Sequence, residues 1–255
     1  VFWLIIWLVL ALAIIVLTFW TYAILLKQKS VWKAFAVKNK LTVRKNRLLQ
    51  SPDIEGMYKG LLLQVFSERQ GMPDGRGVQF RTIIQFVLKP NMPTEGVIAS
   101  RHFTPFVTNL ALPKKWALPK DMKWKEQPLA RAGVSGRLDT FLTAERLKAL
   151  ETVSNMQRSN FVFIFDETDA YLRVESPDPL DNLERMDKII RKIFTVAEAL
   201  TVKDEELDKF NELAGREESF DSIHEHDNDD LVIAEDEDDN ASDLGEEKVS
   251  KNIGA

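Results

Sequence analysis

Hydrophobic positions are distributed along this chain in three distinct patterns. The first is an unbroken apolar run over residues 1–26, built of Leu, Ile, Val, Ala, Phe and Trp, with Thr18, Thr21 and Tyr22 as its only polar groups. As a helix it would reach ~39 Å, more than the ~30 Å hydrocarbon core of a bilayer. Lipid offers no partner to bare backbone amides, so a helix is the form such a run must take. Trp3 and Trp7 lie near one end and Trp20 and Tyr22 near the other, the levels that amphipathic rings prefer. A cleaved signal peptide would have a basic start, a shorter apolar core and small residues before its cut. This run has none of these and predicts a transmembrane helix.

The second pattern is helical spacing in the body. Thr143 can cap a helix in which Leu147, Leu150, Val153 and Met156 repeat on one side. Leu180, Leu183, Met186, Ile190, Ile193, Ala197 and Leu200 form a longer stripe after Pro177 and Pro179, and a weaker helix is expected over 204–214. Val31, Trp32, Phe35 and Ala36 suggest a short amphipathic helix leaving the membrane. The third pattern is alternation. Val78, Phe80, Thr82, Ile84, Phe86 and Leu88 share one face of a strand, and 60–68, 97–103, 161–165 and 170–174 read as further strands, with a brief one at 41–43. Gly71, Gly75 and Gly77 suit a hairpin loop, and Asp166, Glu167 and Asp169 suit a tight turn. The order of elements predicts an α+β fold: a transmembrane helix, a basic juxtamembrane segment over 27–50, an antiparallel-sheet domain with packed helices over 51–215, and a tail over 216–255.

Charge sharpens this division. The net charge is -5. From Arg216 onward there are fifteen acids against three bases, a net -12, while the rest of the chain carries +7. The acidic tail is too poor in apolar residues to offset the entropy of folding and reads as disordered. Lys27, Lys29, Lys33, Lys38, Lys40, Arg44, Lys45 and Arg47 crowd the exit of the apolar run with no acid among them. Positive flanks stay in the cytoplasm, which places the body there. The absence of cysteine fits that side, and fits a cysteine-free extracytoplasmic domain equally. Valine at position 1 suits either a GTG start codon or a chain that continues upstream, and a more basic upstream flank would reverse the orientation.

Short motifs resemble those of bacterial single-pass membrane proteins with a cytoplasmic domain of unknown function. They are Trp32-Lys33-Ala34-Phe35-Ala36 past the anchor, Gly56 and Gly60 in the stretch from Ile54, and Leu142-Thr143-Ala144-Glu145-Arg146-Leu147 with the hairpin and helix that follow. The resemblance spans 32–200. It implies the same layout and carries over no catalytic residue.

Candidate chemistry is sparse. The body holds one histidine, His102, expected in a strand, and Ser100 and Ser135 lack a nucleophile-elbow setting. His224-Glu225-His226-Asp227 is the one group with metal-ligand residue types, without a rigid surround. Gly133-Val134-Ser135-Gly136-Arg137 is expected to precede a strand and not a phosphate-binding helix. No catalytic, cofactor or metal site is therefore assigned. The unusual body segment is 113–128, which interleaves Lys114, Lys115, Lys120, Lys123 and Lys125 with Trp116 and Trp124. It suits a Pro-rich loop covering the core edge, an anionic bilayer surface, or single-stranded nucleic acid.

Three readings of function stay open: a membrane-anchored, non-enzymatic interaction domain; a membrane-proximal enzyme using carboxylates; and nucleic-acid binding through the Lys/Trp segment, the least favoured. The first implies the bilayer and its anionic headgroups as partners, and a basic protein partner for the tail. It also allows the tail to fold back on the basic segments when no partner is bound, a contact that salt would screen. Removal of 216–255 should then strengthen association with anionic vesicles at low salt, measured by co-sedimentation; equal association with and without the tail would sink that idea.

Overall fold

The apolar run and the basic residues after it form one helix in the computed structural model. The structure describes residues 2–44, 51–71, 77–89, 92–110, 112, 114–116, 118–119, 121–133, 135–166, 168–210 and 212, with the side chains of 114–116 and 135–136 outside that description. The chain divides into a unit Val1–Leu213 and a unit Ala214–Ala255. The expected disordered tail, its 231–233 apolar group and the 224–227 cluster lie outside the described residues, as do Lys45, Arg47 and Lys120.

Helix α1 (Phe2–Lys38) runs without a break through the expected membrane boundary. Its first part is exposed all round, with a mean hydropathy of 2.9 in its most apolar window and no Asp, Glu, Lys or Arg before Lys27. It is long and apolar enough to cross a bilayer, which makes it a candidate membrane anchor. Past Lys27 the same helix becomes one-sided, burying Gln28, Trp32, Phe35 and Ala36. No separate short helix forms, because nothing between Leu26 and Val31 breaks the backbone; there is no Pro or Gly in that stretch.

The chain then lays down β1 (Thr42–Arg44), β2 (Asp53–Tyr58), β3 (Leu61–Gly71), β4 (Val78–Leu88) and β5 (Gly96–Ala99). Lys59 and Gly60 both take positive φ, as a two-residue hairpin loop between β2 and β3 requires. A 3₁₀ turn (Arg101–Phe103) and α2 (Thr104–Asn109) follow, then β6 (Lys114–Trp116) and β7 (Leu129–Ala132). Next come α3 (Ser135–Phe141), α4 (Ala144–Ser154), β8 (Asn160–Phe165), β9 (Ala170–Ser176) and α5 (Leu183–Leu200). Residues 204–210 are also helical.

The described strands form one antiparallel sheet in the order β1-β2-β3-β4-β9-β8-β5-β7-β6. The fold is α+β, as the element order predicts. The main core joins the buried stripe of α1, α3, α4 and α5 to Leu63, Val65, Ile84, Phe86, Phe163 and Leu172 of the sheet. Tyr58 and Phe194 meet edge to face at 5.5 Å, and Phe86 and Phe194 at 5.8 Å, so β2, β4 and α5 share one aromatic cluster with Phe35 of α1. A smaller cluster of Val97, Ala99, Val107 and Val162 lies under α2.

Several expectations are confirmed. Thr143 caps α4 by accepting from the Arg146 amide, and the stripe from Met186 to Leu200 is buried. The helix itself begins at Leu183, capped by Asn182, so Leu180 of the expected stripe lies before it with positive φ. Asp166 accepts from the Thr168 and Asp169 amides and from the Thr168 hydroxyl, which is turn chemistry.

Others need correction. The strand expected over 97–103 ends at Ala99, and His102 sits in the 3₁₀ turn. Pro105 in the first turn of α2 suits a helix start, and Thr104 Oγ1 donates to the Arg101 carbonyl at 2.5 Å. The segment from Gly133 leads into helix α3, because Leu138, Phe141 and Leu142 can share one buried face. The 113–128 segment is not wholly loop: its start pairs with β7 as the sheet's edge strand.

Buried charges tie the helices together. Arg146 is 3% exposed and donates to the carbonyls of Phe141, Ala199 and Thr201 and to the Glu206 carboxylate, at 2.5 Å to the last. Its guanidinium lies 4.3 Å from the Phe141 ring centroid. Replacement of Trp32, a fully buried residue on the anchor helix, by Ala should cost ~3–5 kcal/mol of stability. Denaturant unfolding of the full chain in detergent micelles checks this, and a loss below ~1 kcal/mol would show that α1 does not belong to the core.

Candidate functional site

Register fixes which strand ends meet. Thr82 pairs with Ser176, Glu175 with Asn160, Val162 with Ala99, and Ala99 with Leu129. One end of the sheet therefore gathers the β9–α5 connection, the α4–β8 turn, the residues after Ala99 and the 121–128 loop. The same end carries the cavity that α1 shares with the sheet, lined by Phe19, Tyr22 and Leu25 on the helix and by Phe80, Arg81 and Pro179 on the body. Its volume is about 630 Å³.

The β3–β4 hairpin reaches further than its neighbours. Beyond Thr82, pairing with β9 stops, yet β3 and β4 stay paired out to Gly71 and Val78. At about 3.4 Å per residue this arm extends ~14 Å past the sheet. On it Val78 and Phe80 are 54% and 58% exposed, whereas Thr82, Ile84, Phe86 and Leu88 on the same strand face are buried. The alternation expected over 78–88 is thus real, but its first two members have no body to pack on. Phe80 lines the cavity shared with the apolar part of α1.

A second, polar pocket of about 320 Å³ adjoins the first, sharing Arg81 and Pro177. Lys125, Glu126 and Arg158 line it. No ion pair among the described residues uses Arg81, Lys125 or Arg158. Glu126 faces Arg101 at 3.7 Å. Desolvation, and then the nearby Arg81 charge, lower the pKa of the His102 imidazole from its ordinary value.

The Lys/Trp segment divides between two places. Lys114, Lys115 and Trp116 form β6, at the far edge of the sheet from β1. Lys123 and Lys125 are exposed on the loop at the anchor end. Trp124 packs half-buried against the core, with its indole N–H donated to the Pro119 carbonyl at 3.0 Å. The basic residues after the anchor are used within the fold. Lys27 pairs with Asp181 at 3.0 Å, Lys38 with Asp187 at 3.1 Å, and Arg44 with Glu55. Lys33 and Lys40 are exposed, and Lys29 is half-buried. Trp32 donates its indole N–H to the Pro179 carbonyl at 3.2 Å. The anchor helix is thus fastened to α5 and its approach at three levels.

Sequence reasoning missed Arg81, Arg158 and Asp187. The first alternates along a strand like any solvent-facing residue, and the second lies in a turn. Only the register of strands distant in sequence brings Arg81 and Arg158 beside Lys125. Among the described residues no group of three or more His, Cys, Asp or Glu could hold a metal ion.

No family model matches the chain, and no curated protein matches it. Among solved structures it is similar to the crystal structure of the mycobacterial trehalose monomycolate transport factor A. The TM-score is 0.42 at 10% identity, over 68% of this chain and 94% of that one.

The fastening has an acid-side limit. The Arg191 hydrogen bond, together with Lys38, holds the Asp187 carboxyl below the usual carboxylate value of 3.8. A depressed folded value adds stability above the unfolded value, lost as pH falls through the folded one. Asp187→Asn should therefore be less stable than the parent at pH 7, with the gap closing only below about pH 4. Thermal melts across pH 3–7 measure it, and a gap independent of pH would refute an ionic contribution.

Proposed function

We propose that this chain is a single-pass membrane protein whose body acts on the cytoplasmic side as a non-enzymatic interaction domain, held with the anchor end of its sheet against an anionic bilayer surface. The observation that carries this reading is the dual character of α1. One rigid helix is apolar all round at its start and then buried in the core, so the body cannot swing freely beneath the membrane. The cytoplasmic side follows from the basic flank beginning at Lys27, which resists translocation whatever its later partners in the fold.

Anionic headgroups are the partner that the exposed cations suit, each contributing about 1 kcal/mol near such a surface. Lys123 and Lys125 at the anchor end favour lipid over nucleic acid as the occupant of the Lys/Trp loop. The acidic tail is proposed, from its composition, to meet a basic protein partner.

The chain has no cysteine, so Glu198→Cys on the exposed face of α5 would introduce a single thiol. A membrane-impermeant maleimide should label it in inside-out vesicles, and in right-side-out vesicles only after permeabilisation. The reverse pattern would place the body outside and end this reading.

A further inference from the structure

Apolar and basic surfaces meet at the anchor end in the shape of an amphiphile. The larger cavity has a wall of α1, from Thr18 to Gln28, facing the β3–β4 arm. Most of that wall belongs to the apolar run, so in a membrane it opens to lipid and not to water. Its volume falls within the ~300–1,000 Å³ typical of ligand sites. Phe19, Tyr22, Leu25 and Phe80 offer it hydrocarbon and ring faces. At Arg81 and Pro177 it passes into the smaller pocket, where Lys125 and Arg158 bring two more cations. The one carboxylate there, Glu126, is turned to Arg101.

A row of exposed lysines would attract any anionic surface. This arrangement does more, because an apolar slot ends in a basic seat. Three cations without a carboxylate partner are complementary to a phosphate, and the slot beside them to the chain it carries.

We infer that this cleft binds one anionic phospholipid of the surrounding leaflet, with an acyl chain between α1 and the β3–β4 arm and its phosphate held by Arg81, Lys125 and Arg158. The inference rests on the membrane-anchored reading and adds a specific lipid seat to it. The bound lipid fills the gap between anchor and arm, and so completes the packing of α1 against the sheet at the level of the headgroups.

The test uses the full chain in vesicles of phosphatidylcholine doped with a minor fraction of phosphatidylglycerol. A photo-crosslinking phenylalanine analogue replaces Phe80 in one version and Ile14 in another. Lipid adducts are then identified by mass spectrometry. Ile14, exposed in the middle of the apolar run, should yield the two lipids in their bulk ratio. Phe80 should yield phosphatidylglycerol enriched about fivefold or more, the preference one basic residue confers near an anionic surface. Combined Arg81→Gln, Lys125→Gln and Arg158→Gln should return Phe80 to the bulk ratio. If that variant fails to fold, Arg158→Gln alone, at an exposed turn, should lower the enrichment by a measurable step. A bulk ratio at Phe80 in the parent, or enrichment that survives loss of the cations, overturns the lipid seat and leaves the anchor standing. An absence of lipid adducts at Ile14 overturns the anchor itself.

Discussion

Everything in this structure depends on the passage of α1 from its exposed apolar run into the core without a joint. A membrane protein commonly links anchor and domain through a flexible stretch, which leaves the domain free to turn. Here the residues that would form such a stretch bury Trp32, Phe35 and Ala36. A fully buried aromatic contributes several kcal/mol through its apolar area, at ~25 cal/mol per Å². Detaching the helix from the body would forfeit that energy and the ion pairs of Lys27 and Lys38 as well. The orientation of the sheet to α1 is therefore part of the fold and not a matter of tether length.

Rigid mounting gives meaning to features that would otherwise be incidental. A hairpin longer than its neighbours is a common surface irregularity, and two exposed apolar residues on it need no explanation. Here the same hairpin lines a cavity with the apolar part of α1, the candidate membrane anchor. The far edge of the sheet has a different logic. Strand β6 is three residues long and carries Lys114 and Lys115, two of the means by which natural proteins discourage further strand pairing. The segment that looked uniform in sequence thus serves edge protection at one end and the anchor face at the other.

The sequence was legible where one period governed a whole element. The stripe of α5 from Leu183 onward, the Thr143 cap and the alternation of β4 each depend on local spacing and are found, while Leu180, expected in the α5 stripe, lies before the helix with positive φ. It misled where a local signal continued past a tertiary limit. Val97 to Phe103 alternates like a strand, but Pro105 and the α2 helix draw the chain off after Ala99. The junction at Leu26 and Lys27 marks a change of composition and not of element, because composition does not report backbone continuity. The anchor-end cluster was illegible for a further reason. Arg81, Lys125 and Arg158 stand on three segments, and only strand register makes them neighbours.

The same register decides which cations stay unpaired. The basic flank of the anchor is the obvious candidate for headgroup contact, yet Lys27, Lys38 and Arg44 each lie against a carboxylate of the body. A paired cation presents a dipole, whose field falls off faster than that of a lone charge. Arg81, Lys125 and Arg158 carry no such partner and act over the full screening length of ~8 Å at physiological salt. The flank and the cluster therefore do different work. The flank, through Lys27 and Lys38, locks helix to domain. The cluster forms only once the sheet has closed. Any lipid selectivity this protein has must then be a property of the folded state, and would vanish with the fold even if the anchor stayed in the membrane.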